Sequence, residues 1–343
     1  MNRLTKAHSF RAPLWGVLGI LLLFLTACGP DENHGRVKGT LEGISTATIQ
    51  AVAEDLDGRT DTIELKKSSF TYEREVKRPV VLTLIYPNFT TTTLVLGPGE
   101  TVKIKGDANK LSELEIDGNE DNRLLTEFRK HSAGKSPTEK AREAATFIRS
   151  HAKTLAAVIL FREFFADVEN IENSTTASLL TELEKGHPKD STVQAMVKRL
   201  RPILANTPGQ QVPTFSAKDL KGKTVTDATY RGKAFLIVIG GYYDGHFYTI
   251  ANKIHDLREK VDTTRLSYLF ISLDPSKEVC ERNITYTPLP GHMVCDEKSF
   301  DSPFAAKFGP RFFPGNILVG KDGKIKARDI PANDWVERIP GLL

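Results

Sequence analysis

Apolar and polar positions change rhythm twice along this 343-residue chain. From about Arg36 to Asp117 the apolar stretches are short: Val37–Leu41, Thr48–Val52, Thr62–Leu65, Phe70–Val76, Val80–Tyr86, Thr93–Leu96 and Thr101–Lys105. They are rich in Val, Ile, Thr and aromatics, and Asp57-Gly58, Pro87-Asn88 and Gly97-Pro98-Gly99 punctuate them as turns. Phe70-Thr71-Tyr72 and Val102-Lys103-Ile104 alternate, so each strand has one buried and one wet face. About seven such strands with no helix between them predict a small β-sandwich.

From Asn122 to about Asn206 the period lengthens. Phe147, Ile148, Ala152, Leu155, Val158, Ile159, Phe161 and Phe165 recur at helical spacing, as do Leu179, Leu180 and Leu183, then Val193, Met196, Val197 and Leu200. Gly134, Asn173-Ser174 and Gly186-His187-Pro188 interrupt the pattern, which predicts about four or five antiparallel helices. Asn206-Thr207-Pro208-Gly209 reads as a joint. Beyond Val212 strands and helices alternate. Phe235–Ile239 and Leu266–Leu273 are continuous apolar runs, as in strands covered on both faces. A helix is predicted from about His246 to Val261 and another over Lys277–Asn283. Asn316–Val319 and Lys324–Arg328 flank the turn Lys321-Asp322-Gly323.

The N-terminus carries a separate signal. Arg3, Lys6 and Arg11 precede an apolar core from Leu14 to Leu25, and small residues lead into Cys28, the layout of a secretory signal peptide. The alternative, a transmembrane anchor, needs about 20 apolar residues, and this core is shorter. Leu25-Thr26-Ala27-Cys28 resembles a bacterial lipobox. That resemblance implies removal of 1–27, acylation of Cys28, and a tether over 28–35. Gly29 stands where an aspartate would resemble an inner-membrane retention signal, so the outer membrane is favoured, on its periplasmic side or at the cell surface.

Composition narrows the function. The formal net charge is +4, and the three basic residues of the leader supply most of it, leaving the rest of the chain near +1. No compact run of basic residues exists, which speaks against nucleic acid as a partner. Of three cysteines, Cys280 and Cys295 remain once Cys28 is lipidated. An oxidising compartment permits a disulfide between them. It would close a loop of about 16 residues and stabilise by ~3 kcal/mol in the chain-entropy model. Two free thiols, or a redox pair, are the other readings.

The C-terminal segment resembles the TlpA/ResA-like branch of the thioredoxin superfamily, a redoxin type. The pieces that carry this are Val212-Pro213-Thr214-Phe215, Asp219-Leu220-Lys221-Gly222-Lys223, Arg231-Gly232-Lys233, Ile271-Ser272-Leu273-Asp274, Phe313-Pro314 and Val319-Gly320-Lys321-Asp322-Gly323. Leu96-Gly97-Pro98-Gly99-Glu100 and Ile104-Lys105-Gly106-Asp107 resemble the N-terminal β domain of lipoproteins with this fold. The resemblance implies an α+β multidomain chain: a β-sandwich-like domain over 36–118, a helical spacer over 119–207 and a thioredoxin-like α/β domain over 208–343. It also implies that Pro314 is the cis-proline of the substrate groove, with Phe313 beside it.

One departure decides the chemistry. Counting from Gly232-Lys233, the place of the redox Cys-x-x-Cys holds Asp244-Gly245-His246-Phe247. Thiol–disulfide exchange needs a thiolate to attack sulfur, and a carboxylate cannot take that part. Asp244 is instead expected as the N-cap of the following helix, and Phe247 as buried packing. Asp244 and His246 with His292 match no dedicated zinc spacing, so no metal or other cofactor is expected. The expected function is a lipid-anchored envelope module that binds a protein or peptide without redox chemistry. Strand addition in the Pro314 groove would need no cysteine. The alternatives are a thiol-disulfide oxidoreductase acting through Cys280 and Cys295, and an architectural subunit of an outer-membrane complex.

Overall fold

The computed structural model describes residues 29–53, 56, 59–166, 173–243 and 245–343, with the side chains of 173 and 246 left outside. The leader 1–27 and Cys28 lie outside the described residues. The chain forms two compact units. One runs through Glu143 and takes in Thr154–Ile159; the other comprises Ala144–Lys153 and Leu160–Leu343.

The first unit contains β1 (His34–Glu42), β2 (Thr46–Ala53), β3 (Asp61–Lys66), β4 (Ser69–Glu75), β5 (Val80–Ile85), β6 (Thr91–Leu96), β7 (Thr101–Asp107) and β8 (Glu115–Asp117). The strands form two four-stranded halves, β6-β5-β2-β3 and β4-β1-β7-β8, linked by the single β3–β4 pair Lys66–Ser69. All eight strands join one sheet in the order β6-β5-β2-β3-β4-β1-β7-β8, in which only β1 and β7 run parallel. Alternation does fix the buried face: Val37 and Leu41, Ile63 and Leu65, Leu82 and Leu84, and Val102 and Ile104 share one core. A sheet with a single apolar face must meet a second sheet or coil around itself. Gly35 of β1 lies so near β6 that a Cβ would sit 2.6 Å from Leu96 Cγ.

Five helices follow, α1 (Glu120–Ser132), α2 (Pro137–Ser150), α3 (Leu155–Phe161), α4 (Asn173–Gly186) and α5 (Ser191–Ala205). Their number agrees with the periodicity. They do not make a third unit, however, since α1 belongs to the first unit and α4 and α5 to the second. Helix α1 starts on an Asn119 cap that accepts the Asn122 N–H at 3.0 Å. Its buried Asn122 amide then pairs with the edge strand β6, accepting from Val95 N–H and donating to Val95 O, both at 2.8 Å. Arg129 donates to Thr93 O at 2.9 Å. The side chains of α1 thus close an edge that would otherwise invite another strand.

The second unit holds β9 (Ser216–Lys218), β10 (Thr224–Thr226), β11 (Ala234–Gly240), α6 (His246–Lys260), β12 (Leu266–Ser272), α7 (Lys277–Tyr286), β13 (His292–Cys295), α8 (Pro303–Phe308), β14 (Gly315–Val319), β15 (Ile325–Arg328) and α9 (Trp335–Arg338). Its main sheet has the order β13-β12-β11-β14-β15. β11, β12 and β13 are parallel, and β14 and β15 antiparallel. β11 and β14 are buried at every position because the sheet is covered twice. Leu236, Val238, Ile254, Leu257, Phe270 and Trp335 fill one side, and Phe215, Ile237, Ile239, Phe308 and Ile317 the other. This is the thioredoxin-like arrangement.

Helix α5 is tied to that sheet by one side chain. Arg328, at the end of β15, donates to Ile203 O (3.2 Å), Asn206 O (2.9 Å) and Gly309 O (2.5 Å), and pairs with Asp329 at 2.8 Å. Gly309 takes φ 57° where α5 crosses it, and a Cβ there would lie 2.5 Å from Ile203 N. Only glycine fits that approach in that conformation.

Candidate functional site

β11 delivers the chain to the C-terminal end of the parallel strands, where α/β folds place their sites. Gly240 ends the strand, and a Cβ on it would meet Phe247 at 3.1 Å and Pro314 at 3.2 Å. The strand end, the start of α6 and the Pro314 loop therefore converge, as the resemblance implies. The Phe313–Pro314 peptide is cis. Phe247 is buried and packs on Tyr242 with ring centroids 4.7 Å apart.

Gly245 precedes the first turn of α6 with φ −53° and ψ −25°. Asp244, expected as the N-cap, lies outside the described residues. His246 is the first residue of α6, and its side chain is not described.

Beneath this turn sits a buried carboxylate. Asp274 Oδ1 accepts the Tyr242 N–H at 3.0 Å, and Oδ2 accepts the Ser272 hydroxyl at 2.8 Å. Ser272 Oγ in turn accepts the Asp274 N–H at 3.1 Å. Tyr242 donates its hydroxyl to Thr287 O at 3.2 Å. These bonds fix the segment that turns from β11 into α6.

Cys280 and Cys295 are free thiols, so the expected bridge is not formed. Both are buried, Cys280 completely. Cys280 Sγ lies 2.9 Å from Met293 Sδ and Cys295 Sγ lies 3.7 Å from Asp274 O, and the two thiols also interact with one another. Desolvation pushes the Cys280 thiol up to about 12, with the neighbouring Cys295 and Asp274 adding to it. Burial also raises Cys295. Neither is an available nucleophile near neutral pH, because the thiolate is the reactive form.

His292, weighed above as a ligand beside Asp244 and His246, is engaged elsewhere. Its Nδ1 lies 2.8 Å from Asp219 Oδ2. Burial presses the Asp219 carboxyl up, but His292 and the Lys223 and Lys221 amides outweigh it and hold the group below its usual range. No group of three His, Cys, Asp or Glu placed to hold a metal occurs among the described residues.

The groove has a feature that no motif announces. Tyr243, Phe300, Phe312 and Phe313 are 50%, 62%, 49% and 38% exposed, high values for rings of this size. Phe300 joins the two walls: its ring lies 5.5 Å from Tyr243, at the approach to α6, and 5.2 Å from Phe313, beside Pro314, with edge-on geometry in both pairs. The backbone groups of Phe312 and Phe313 have no main-chain partner among the described residues. Sequence reading finds Phe313 through its proline but misses Phe300 and Tyr243, which are far apart in the chain and meet only once the sheet is built.

The fold and site together define a thioredoxin-like domain with no cysteine in the stretch Asp244–Phe247. No protein-family model matches the sequence, and no curated protein matches it. Among solved structures, the chain is similar to a thiol-disulfide oxidoreductase from Bacteroides fragilis at 27% identity and a TM-score of 0.36, over 39% of this chain and 100% of that one. It is also similar to the thioredoxin domain of a thiol-disulfide oxidoreductase from Bacteroides vulgatus, at 19% identity and a TM-score of 0.36, over 39% and 96%. No helix among the described residues is long and apolar enough to cross a membrane.

Proposed function

We propose that this protein is a cell-envelope binding module, held by lipid on Cys28, whose thioredoxin-like unit takes an extended polypeptide segment along the Pro314 loop without thiol chemistry. The observation that carries the reading is the exposed aromatic chain Tyr243–Phe300–Phe313 beside main-chain groups left open at Phe312 and Phe313. Exposed rings at such a density mark contact surfaces, and aromatic anchors dominate binding energy where they become desolvated. Open main-chain groups next to them suit an extended partner, which supplies the matching donors and acceptors. The occupant is thus an extended segment carrying apolar or aromatic side chains. The burial of Cys280 and Cys295 argues against turnover through them.

Peptides selected from a random display library on the purified chain test this. Affinity for the selected peptide is expected to fall by about 10- to 100-fold in the double variant Phe300→Ala, Phe313→Ala, the loss of one or two aromatic anchors. Insulin reduction is expected to stay at background in every form of the protein. Binding indifferent to both phenylalanines, or insulin reduction that disappears with Cys280→Ser, would overturn the proposal.

A further inference from the structure

The helix that closes β6 also closes the other end of the same sheet. Thr126, one turn after Asn122 on α1, accepts the Ile116 N–H at 3.1 Å and donates to Ile116 O at 2.8 Å. The two terminal strands, β6 and β8, are thus both satisfied by side chains of one helix. The two ends are not alike. β8 has three residues, and the exposed carboxylates Glu115 and Asp117 flank Ile116. A short, charged edge discourages an added strand by itself. β6 has six residues, Thr91-Thr92-Thr93-Leu94-Val95-Leu96, with no charge, no proline and no glycine. Uncharged segments of that length and β-propensity pair with copies of themselves once exposed.

Main-chain direction shows what α1 hides. Val95 N–H, Val95 O and Thr93 O point away from β5 and meet Asn122 and Arg129, and Asn119 Nδ2 donates to Val95 O as well, at 3.1 Å. Strand alternation turns the groups of Thr91 the same way. An antiparallel copy of β6 centred on Thr93 sets Val95 of each chain opposite Thr91 of the other, with paired bonds at every outward position. The hold of α1 is largely polar. Of its thirteen residues, the buried apolar ones are Leu125 and Phe128. Its bonds to β6 come from side chains that water serves equally well once the helix lifts.

We propose that β6 is a latent self-association strand, that the partner it fits is β6 of a second copy of this chain, and that α1 is the latch that keeps the pairing shut. With α1 seated, the outward groups of Thr93 and Val95 are taken and no strand can add. With α1 lifted, the strand meets itself about a two-fold axis. That pairing is isologous, so it closes as a dimer and does not grow into a filament. The short, charged β8 stays outside it. This surface belongs to the first unit and does not depend on the Pro314 groove or its occupant.

The test uses the full chain carrying Cys28→Ser, followed by sedimentation equilibrium. Asn122→Ala frees Val95 N–H and takes one of two donors from Val95 O, so it should tighten dimerisation by about tenfold or more over the parent. Exchange of the Val95 amide, fast in the dilute variant, should slow as its concentration rises. Val95→Pro removes an outward N–H from an edge strand, where proline is tolerated. Added to Asn122→Ala, it should restore the sedimentation of the parent. A second readout leaves α1 unaltered. Thr93→Cys alone, held in a glutathione redox buffer, should accumulate a dimer linked through residue 93, because the two copies of that residue face each other with Cα atoms about 5.5 Å apart, within disulfide range. Val95→Pro should abolish that link. An Asn122→Ala chain that sediments like the parent, association that survives Val95→Pro, or a Thr93→Cys chain that does not cross-link would each overturn the proposal.

Discussion

Arg328 offers the sharpest stability test. Its guanidinium is 9% exposed, and it satisfies three carbonyls as well as Asp329, itself 9% exposed. Arg328→Ala removes the cation from a buried pair and leaves the carboxylate alone, a change that costs about 3–5 kcal/mol. The carbonyls of Asn206 and Gly309 would each add about 1 kcal/mol or more if water did not reach them, whereas Ile203 O keeps the Asn206 N–H at 3.3 Å. Truncation opens a path for water, so about 4 kcal/mol is the reasoned total. For a unit of this size that lowers Tm by about 8–16 °C. Arg328→Lys keeps the charge but not the planar fork, and should recover less than half of the loss. Trp335 is the sole tryptophan after Cys28 and is fully buried in this unit, so its fluorescence follows the unit's unfolding in urea. A loss below about 1 kcal/mol, or a lysine variant equal to the parent, would refute the view that Arg328 fastens α5 to β15.

Other outcomes follow from the same geometry. Asn122→Ala should leave Val95 N–H unpaired and its C=O with Asn119 Nδ2 alone, cost about 1–3 kcal/mol, and speed amide exchange at Val95 well beyond that of neighbouring strands; unchanged exchange would contradict the edge-closing role. Asp219 has a depressed folded pKa, so its stabilisation is complete above the unfolded value of about 3.9 and is lost as pH falls through the folded value. His292→Ala removes one of the groups that depress it, and acid unfolding followed by Trp335 fluorescence should shift to higher pH; an unmoved midpoint would show that the pair carries no linkage. Cys280 and Cys295 should resist alkylation at pH 8 in the native protein and react fully in urea, whereas rapid native reaction would mean that they are open to solvent.

Much of the second unit is legible from apolar runs. Phe235–Ile239 and Leu266–Leu273 appear as β11 and β12 nearly residue for residue, because central strands covered on both faces are continuous in the sequence. The first unit is legible only as strands and faces. Alternation places Val102 and Ile104 inward, but nothing local says that β7 lies parallel to β1 or that β2 lies beside β5. Helix periods likewise give α1 and α5 without saying which core each completes; Asn122 and Arg328 settle that, and both look like ordinary surface residues in sequence. At the site, Phe247 and Pro314 are read through the family resemblance, and the structure brings them together over Gly240. Cys280 and Cys295, paired in the sequence reading, are buried free thiols in the structure, and spacing alone does not encode the distance and dihedral a bridge requires.

Hydrogen exchange of the full chain, with and without a library-selected peptide, tests the central claim most directly. Binding should protect the amides of Phe312 and Phe313 and the first turn of α6, with the same protection when reductant is present or Cys280 and Cys295 are replaced by serine. Protection confined to other edges of the sheet, or a peptide held only through a reducible bond to Cys280 or Cys295, would contradict a groove that binds without sulfur chemistry.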